Sequence, residues 1–217
     1  MKVALIGATG FVGGAVLKEL LDRGHEVIAV SRHPEKVTAT SPGLKNAGAD
    51  VYDTDGLAAV LRGSDVVISA YNAGWTNPRI YDDFIRGAES IQRAVKLAGV
   101  KRLIVVGGAG SLLDQSGNQL VDSPAFPQAW KPGAQAARDY LNTLKKEQDL
   151  QWTFLSPAIE MNSAHPGSRT GKYRTGKDHP VTDENNKSAI SVADLAVALV
   201  DEAETPAHIR QRFTVGY

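Results

Sequence analysis

Three glycines spaced three apart, Gly7, Gly10 and Gly13, stand between the apolar run Val3–Ile6 and a helix-compatible segment carrying Ala15, Val16, Leu17, Leu20 and Leu21. Glycine at the turn lets the backbone approach a pyrophosphate, and glycine at the third position lets strand and helix pack closely. The free N–H groups of the first helical turn, at the positive end of the helix dipole, then face the phosphates. The chemistry this spacing serves is the binding of a dinucleotide. A second strand, His25–Val30, follows at the distance a βαβ unit requires. The Gly-Lys-Ser/Thr ending of a triphosphate-binding loop is absent.

The end of that second strand reads on cofactor type. An acid there would hold the ribose 2′-hydroxyl of NAD, whereas arginine accommodates the 2′-phosphate of NADP. The chain has Ser31-Arg32-His33-Pro34-Glu35-Lys36, with no acid beside the strand and Arg32 in its place. NADP(H) is therefore expected over NAD(H), against the alternative that Arg32 belongs to a solvated basic loop.

The elements that must position these groups alternate along the chain. Ala49–Tyr52 reads as a third strand, Gly56–Arg62 as a short helix and Val66–Ala70 as a fourth strand. Asp53 and Thr54 have two open uses, contact with adenine or capping of the helix. Apolar residues Ile80, Phe84, Ala88, Ile91, Val95 and Ala98 recur at steps of three and four, marking a long amphipathic helix ended by Gly99. A fifth strand, Arg102–Val106, runs into Gly107-Gly108-Ala109-Gly110-Ser111, whose small residues leave room for a flat ring that Trp130, Phe126 or Tyr71 would cover. Ser111 either donates a hydrogen bond to an acceptor there or caps the loop. A loop over Leu113–Pro132, a helix over Gly133–Gln148, a sixth strand over Gln151–Leu155, a helix begun by a capping box at Ser191-Val192-Ala193-Asp194 and a last strand near Arg212–Val215 complete the pattern. The tandem RTGK at residues 169–177 reads as a surface hairpin with four cations around Tyr173.

With 217 residues, 24 basic and 24 acidic side chains and no cysteine, the chain reads as one domain, residues 1–217. The substrate-lobe segments lie near 112–132 and 157–190. The charge balance gives no global attraction to nucleic acid or anionic membranes. Thiolate chemistry and cysteine metal sites are excluded, and the histidines fall at no metal-ligand spacing, so no metal is expected. No leader and no membrane-length apolar run is seen, so the expected setting is cytoplasmic and the expected partner a small-molecule acceptor.

Taken together, GATGFVGG at Gly7–Gly14, SRHPEK at Ser31–Lys36, SAYNAG at Ser69–Gly74, GGAGSL at Gly107–Leu112, WTFLSPA at Trp152–Ala158 and ISVADLA at Ile190–Ala196 resemble one family. It is the NAD(P)-binding, NmrA-like branch of the atypical and extended short-chain dehydrogenases, close to NADH-flavin reductases. The resemblance covers essentially the whole chain. It implies a doubly wound parallel α/β sheet, a Rossmann fold, with a small C-terminal substrate lobe.

It further implies that Gly7, Thr9, Gly10, Phe11 and Val12 line the pyrophosphate and that Arg32 meets the 2′-phosphate. Asp53 and Thr54 would meet adenine, Ala70, Tyr71 and Asn72 the ribose, and Gly108, Ala109, Pro157 and Ala158 the nicotinamide. The chain departs from the short-chain dehydrogenases in lacking their Tyr-x-x-x-Lys pair. Between Lys131 and Lys146 the one tyrosine is Tyr140, and Leu144 stands four residues later. The expectation is a reductase passing hydride to a flat conjugated acceptor such as flavin or quinone. The same branch holds regulators that sense NADP(H) without turnover and epimerase- or dehydratase-like enzymes acting on sugar nucleotides.

Overall fold

The computed structural model describes residues 1–217. Its strands are β1 (Lys2–Ile6), β2 (Glu26–Ser31), β3 (Leu44–Gly48), β4 (Val66–Ser69), β5 (Arg102–Val106), β6 (Gln151–Ser156), β7 (Arg174–Gly176) and β8 (Gln211–Gly216). Its helices are α1 (Phe11–Asp22), α2 (Thr54–Leu61), α3 (Ile80–Leu97), α4 (Lys131–Leu144) and α5 (Val192–Glu204). The strands form one sheet in the order β3-β2-β1-β4-β5-β6-β8-β7, parallel throughout except where β7 runs against β8. This is the doubly wound Rossmann arrangement, and its order reverses between β1 and β4, where a ligand crevice opens beyond the strand ends.

Both faces of the central strands are covered, which is why they read as unbroken apolar runs rather than alternating ones. Ala4, Ile6, Ile28, Val30 and Val67 face α2, α3 and α4 and pack with Leu57, Phe84, Ile91, Tyr140 and Leu141. Their neighbours Val3, Leu5, Val27, Ala29 and Ile68 face α1 and α5 and pack with Val16, Leu20, Leu195 and Leu199. No helix is long and apolar enough to cross a membrane.

Several boundaries differ from the sequence expectation for identifiable reasons. The third strand lies at Leu44–Gly48 instead of Ala49–Tyr52. As the edge strand of the sheet it carries exposed Lys45 and Asn46 and lacks the apolar run used to find it. Residues 49–52 instead form a turn in which the Asp50 carboxylate accepts from the Tyr52 amide. Asp53 caps α2 by accepting from the Gly56 amide at 3.0 Å, so the helix begins two residues before Gly56. Pro132 fits the first turn of α4, which ends at Leu144 rather than Gln148. The tandem RTGK is no self-paired hairpin, since its strand residues pair with β8. Arg169 is taken by Glu19, and Arg174 by the carbonyls of Thr182 and Tyr217. At α5 Ser191 does cap Asp194, but the Asp194 carboxylate accepts from Thr170, Gly171 and the Tyr217 hydroxyl instead of returning to the Ser191 amide.

Helices α3 and α4 are tied together at their C-terminal ends through Glu147. Its carboxylate accepts from Gln92 at 2.7 Å and the Asp149 amide at 2.6 Å, and pairs with Lys96 at 3.2 Å. Burial alone would raise its pKa, but these donors outweigh burial and hold it down to about 2 from 4.5. A carboxyl depressed on folding contributes stability that is complete above its unfolded pKa and is lost as pH falls through the folded value. The stability of the wild type in urea is therefore expected to fall between pH 5 and pH 2, and Glu147→Gln should flatten that fall; parallel profiles for the two proteins would refute this role.

Candidate functional site

The cleft at the carboxyl ends of β1, β2 and β4 is built by its glycines. Gly7 has φ +82°, a conformation closed to most side chains, and a Cβ there would lie 2.7 Å from the Ala70 carbonyl oxygen. At Gly13 a Cβ would lie 2.0 Å from the Gly7 carbonyl oxygen. Helix α1 is thus pressed onto the turn that ends β1. Gly10 differs, because the nearest neighbour of a Cβ there would be the Gly7 carbonyl oxygen at 3.3 Å, a tight contact that needs a shift of only a few tenths of an ångström.

Helix α1 begins at the cleft with nothing neutralising its end. Its capping residue is Gly10, no side chain accepts from its first amides, and its first turn holds no acid. An anion is the natural complement of such a terminus. The backbone at Phe11 and Val12 belongs to this turn, with Phe11 38% exposed and the Val12 side chain turned toward the α1/α5 core.

The cleft brings together Gly7, Thr9, Gly10, Arg32, Ala70, Tyr71 and Asn72 of the sequence-derived set, and adds Ser31 and the turn Ala49–Tyr52. Arg32 is exposed, whereas His33 beside it pairs with Glu35. The Ser31 hydroxyl is buried without a hydrogen-bond partner. An unsatisfied buried hydroxyl costs free energy unless a ligand meets it. Its position as the last residue of β2 was the available signal.

Tyr71 forms a fixed wall. Its hydroxyl donates to the Asp83 carbonyl at 2.9 Å and lies 3.2 Å from the Tyr52 hydroxyl, while its ring stacks on Phe84. Burial, then the Tyr52 hydrogen bond, pushes its pKa up, so it remains neutral. Tyr52 carries the Arg86 guanidinium 3.8 Å from its ring centre. Asn72 accepts from the Gly74 amide and shapes the loop after β4.

Other residues named from the sequence lie away from this cleft. Asp53 is engaged as the α2 cap, and the Thr54 hydroxyl lies 2.6 Å from that of Ser90 between α2 and α3. Neither residue lines the cleft; the turn just before them, Ala49–Tyr52, does, because β3 ends earlier than expected. Gly108, Ala109 and Pro157 stand at the ends of β5 and β6 outside the cleft lining, and the Ala158 side chain is in the core. Ser111 is 2% exposed, its hydroxyl donating to the Gly108 carbonyl at 3.2 Å and lying 3.3 Å from that of Ser156. It caps the loop and is not presented to an acceptor.

Two of the small residues in Gly107–Gly110 are taken up by packing. A Cβ at Gly107 would meet the Phe154 ring at 2.0 Å, and one at Gly110 would meet Ala134 at 3.0 Å and Val121 at 3.1 Å. These glycines serve close packing. Tyr140 is 1% exposed and set edge-on to Phe84, and burial raises its pKa, so it is a core residue.

A glycine-built crevice at the β1/β4 reversal, floored by an uncapped helix terminus, defines a dinucleotide-binding protein of the Rossmann type. Residues 7–205 match the model of the NAD(P)H-binding family, and the chain belongs to that family. It is 37% identical to the uncharacterized YwnB protein of Bacillus subtilis, over 99% of this chain and 98% of that one. Among solved structures it is similar to a candidate epimerase from Bacteroides thetaiotaomicron, with 48% identity, TM-score 0.92, and coverage of 100% of this chain and 96% of that one. It is also similar to a candidate NADH-flavin reductase from Streptococcus pneumoniae, with 36% identity, TM-score 0.84, and coverage of 100% and 99%.

The two glycines separate folding from binding. Gly10→Val is expected to keep its helical circular dichroism, since the Gly7 carbonyl need give only slightly, while losing NAD(P)H affinity by calorimetry, since its branches would stand at the helix terminus expected to meet the pyrophosphate. Gly13→Ala should instead lower the unfolding free energy by about 3 kcal/mol or more, the upper end for overpacking. Unchanged NADPH affinity in folded Gly10→Val would show the loop to be only a turn.

Proposed function

We propose that this protein is an NADPH-dependent reductase whose acceptor is a flat conjugated ring of the flavin or quinone class. The observation that carries the reading is that none of the hydroxyls placed to act as an acid is free to do so: Tyr140 is in the core, Ser111 is spent on its own loop, and Tyr71 is bonded to the Asp83 carbonyl. Reduction of an isolated ketone creates an alkoxide, and the general acid that quenches it contributes typically about 10²- to 10⁴-fold. A flavin or quinone spreads the incoming charge over its ring and takes its proton from water, so orientation carries most of the catalysis.

The residues that would hold the cofactor follow from the cleft. Amides of the Gly7–Gly13 turn and the start of α1 would bind the pyrophosphate, the 49–52 turn and Tyr52 the adenine, and the backbone at Ala70–Asn72 the ribose. The 2′-phosphate would meet Arg32 and the orphan Ser31 hydroxyl, which supports NADPH over NADH. When bound, the nicotinamide supplies the hydride. The protein's part is to orient it and to hold the acceptor against it with water excluded.

The same engagement of these hydroxyls supports a second reading, a protein that senses NADP(H) without turnover. It weighs against an epimerase or dehydratase, whose steps need both an acid and a base.

Two experiments follow. Arg32→Ala should weaken NADPH binding by roughly 1.5 to 3 kcal/mol, the worth of a charge-assisted hydrogen bond, and leave NADH binding unchanged. Equal affinity of the wild type for the two cofactors would reject the preference. NADPH consumption should be faster with riboflavin or menadione than with simple ketones, and Ser111→Ala should slow it by less than about tenfold, below the range of a true general acid. Faster turnover of ketones would reject the acceptor class, and tight NADPH binding with no turnover would favour the sensor.

A further inference from the structure

The loop that lines the cleft after β4 continues into a tryptophan held in an unusual setting. Ala73 is the last lining residue of that loop, and Trp75 follows two positions later with 59% of its surface exposed. One edge of its indole is pinned. A Cβ at Gly133, in the first turns of α4, would lie 2.9 Å from indole Cζ3, 3.5 Å from Cη2 and 2.9 Å from Cδ1 of Ile80 at the start of α3. Glycine is unfavourable within a helix, and Gly133 does not have a positive φ that would require it. Its absent side chain is accounted for by the seat it makes for Trp75 and Ile80.

The same stretch of α4 reaches the loop after β5, where Ala134 packs on Gly110 and Ala137 on Gly108. Helix α4 thus touches both Trp75, from the loop after β4, and Gly108 and Gly110, from the loop after β5, and Trp75 follows Ala70–Asn72 in the chain, the residues expected to meet the ribose. The rest of the indole is exposed and free to take a further partner. Indole is electron-rich and binds flat π-systems by stacking.

The geometry points to Trp75 as the residue that selects the acceptor, forming one wall of a subsite for an electron-poor conjugated ring, with Gly133 as its positioning residue. The inference rests on the reductase reading for its substrate class. It shifts the expected ring site away from Gly107 and Gly110, which serve packing, and replaces Tyr71, which is locked in place, as the covering aromatic.

The test uses the full-length protein saturated with NADP⁺, so that binding is measured without turnover. Riboflavin affinity by calorimetry should fall about tenfold in Trp75→Ala, as expected for loss of one aromatic stack, and return to within about threefold in Trp75→Phe. KM for menadione with NADPH should rise in step, while NADPH affinity stays unchanged. Gly133→Ala, which pushes on the indole without removing it, should move riboflavin affinity the same way with helical circular dichroism retained. Undiminished riboflavin affinity in Trp75→Ala, an equal loss of NADPH affinity, or no riboflavin binding by the wild type would each overturn the subsite. Trp75-dependent riboflavin binding without NADPH consumption would uphold the subsite and reject the reductase reading.

Discussion

The contact on which the rest depends is the approach of α1 to the turn that ends β1, where the Gly7 carbonyl occupies the space a side chain at Gly13 would need. A helix standing this close to its strand has no room for a side chain or water between them. Its first amides are therefore aimed at one point beyond the strand ends. The left-handed Gly7 turns the chain sharply enough to bring this about, and Ala70 at the end of β4 closes the other side. Strand order does the remainder, since β1 and β4 part company at this point and leave a crevice above the sheet.

The two ends of the cleft are finished differently. At the β2 side the protein offers an arginine, an unbonded serine hydroxyl and an aromatic hub in which Tyr52 and Tyr71 share the Asp83 carbonyl. The aromatic hub is fixed before any ligand arrives, which lowers the ordering cost of binding. At the β5 side Gly107 and Gly110 are packed against Phe154, Ala134 and Val121, and the charged groups at the end of that loop are engaged with one another, Arg212 donating to the Ser111 carbonyl and pairing with Asp178. The reaction class proposed above rests on the engagement of the Tyr140, Ser111 and Tyr71 hydroxyls.

The lobe beyond β6 is joined to the cofactor helix by charge. Buried Glu19 on α1 accepts from Arg169 at 2.9 Å and from Arg23 at 2.9 Å, and Arg23 continues to Asp201 and Glu204 on α5. The Arg169 and Arg23 hydrogen bonds, opposed by burial, keep Glu19 ionised by lowering its pKa. The basic segment at residues 169–177, which in the sequence resembles a free patch, is in part the means by which this lobe is held against α1 and α5.

The sequence by itself determined the elements whose signals are local: the glycine turn at Gly7–Gly13, the buried strands Val3–Ile6, Val66–Ser69 and Arg102–Val106, and the amphipathic α3. In each, one residue's neighbours along the chain state its environment, through apolar runs, a helical period or a backbone that only glycine permits. It also determined the family, because the glycine turn and strand ends are read together in order. Tertiary structure alone decided what depends on residues distant in the chain. The edge strand β3 is held by pairing with β2 despite a polar sequence, and Gly107 and Gly110 are packed against β6 and α4. Ser111 is turned inward to Ser156, and Trp75 is seated on a glycine nearly sixty residues away. A side chain's type is written in the chain, but whether its space and hydrogen bonds are already taken is settled only by what the fold packs against it.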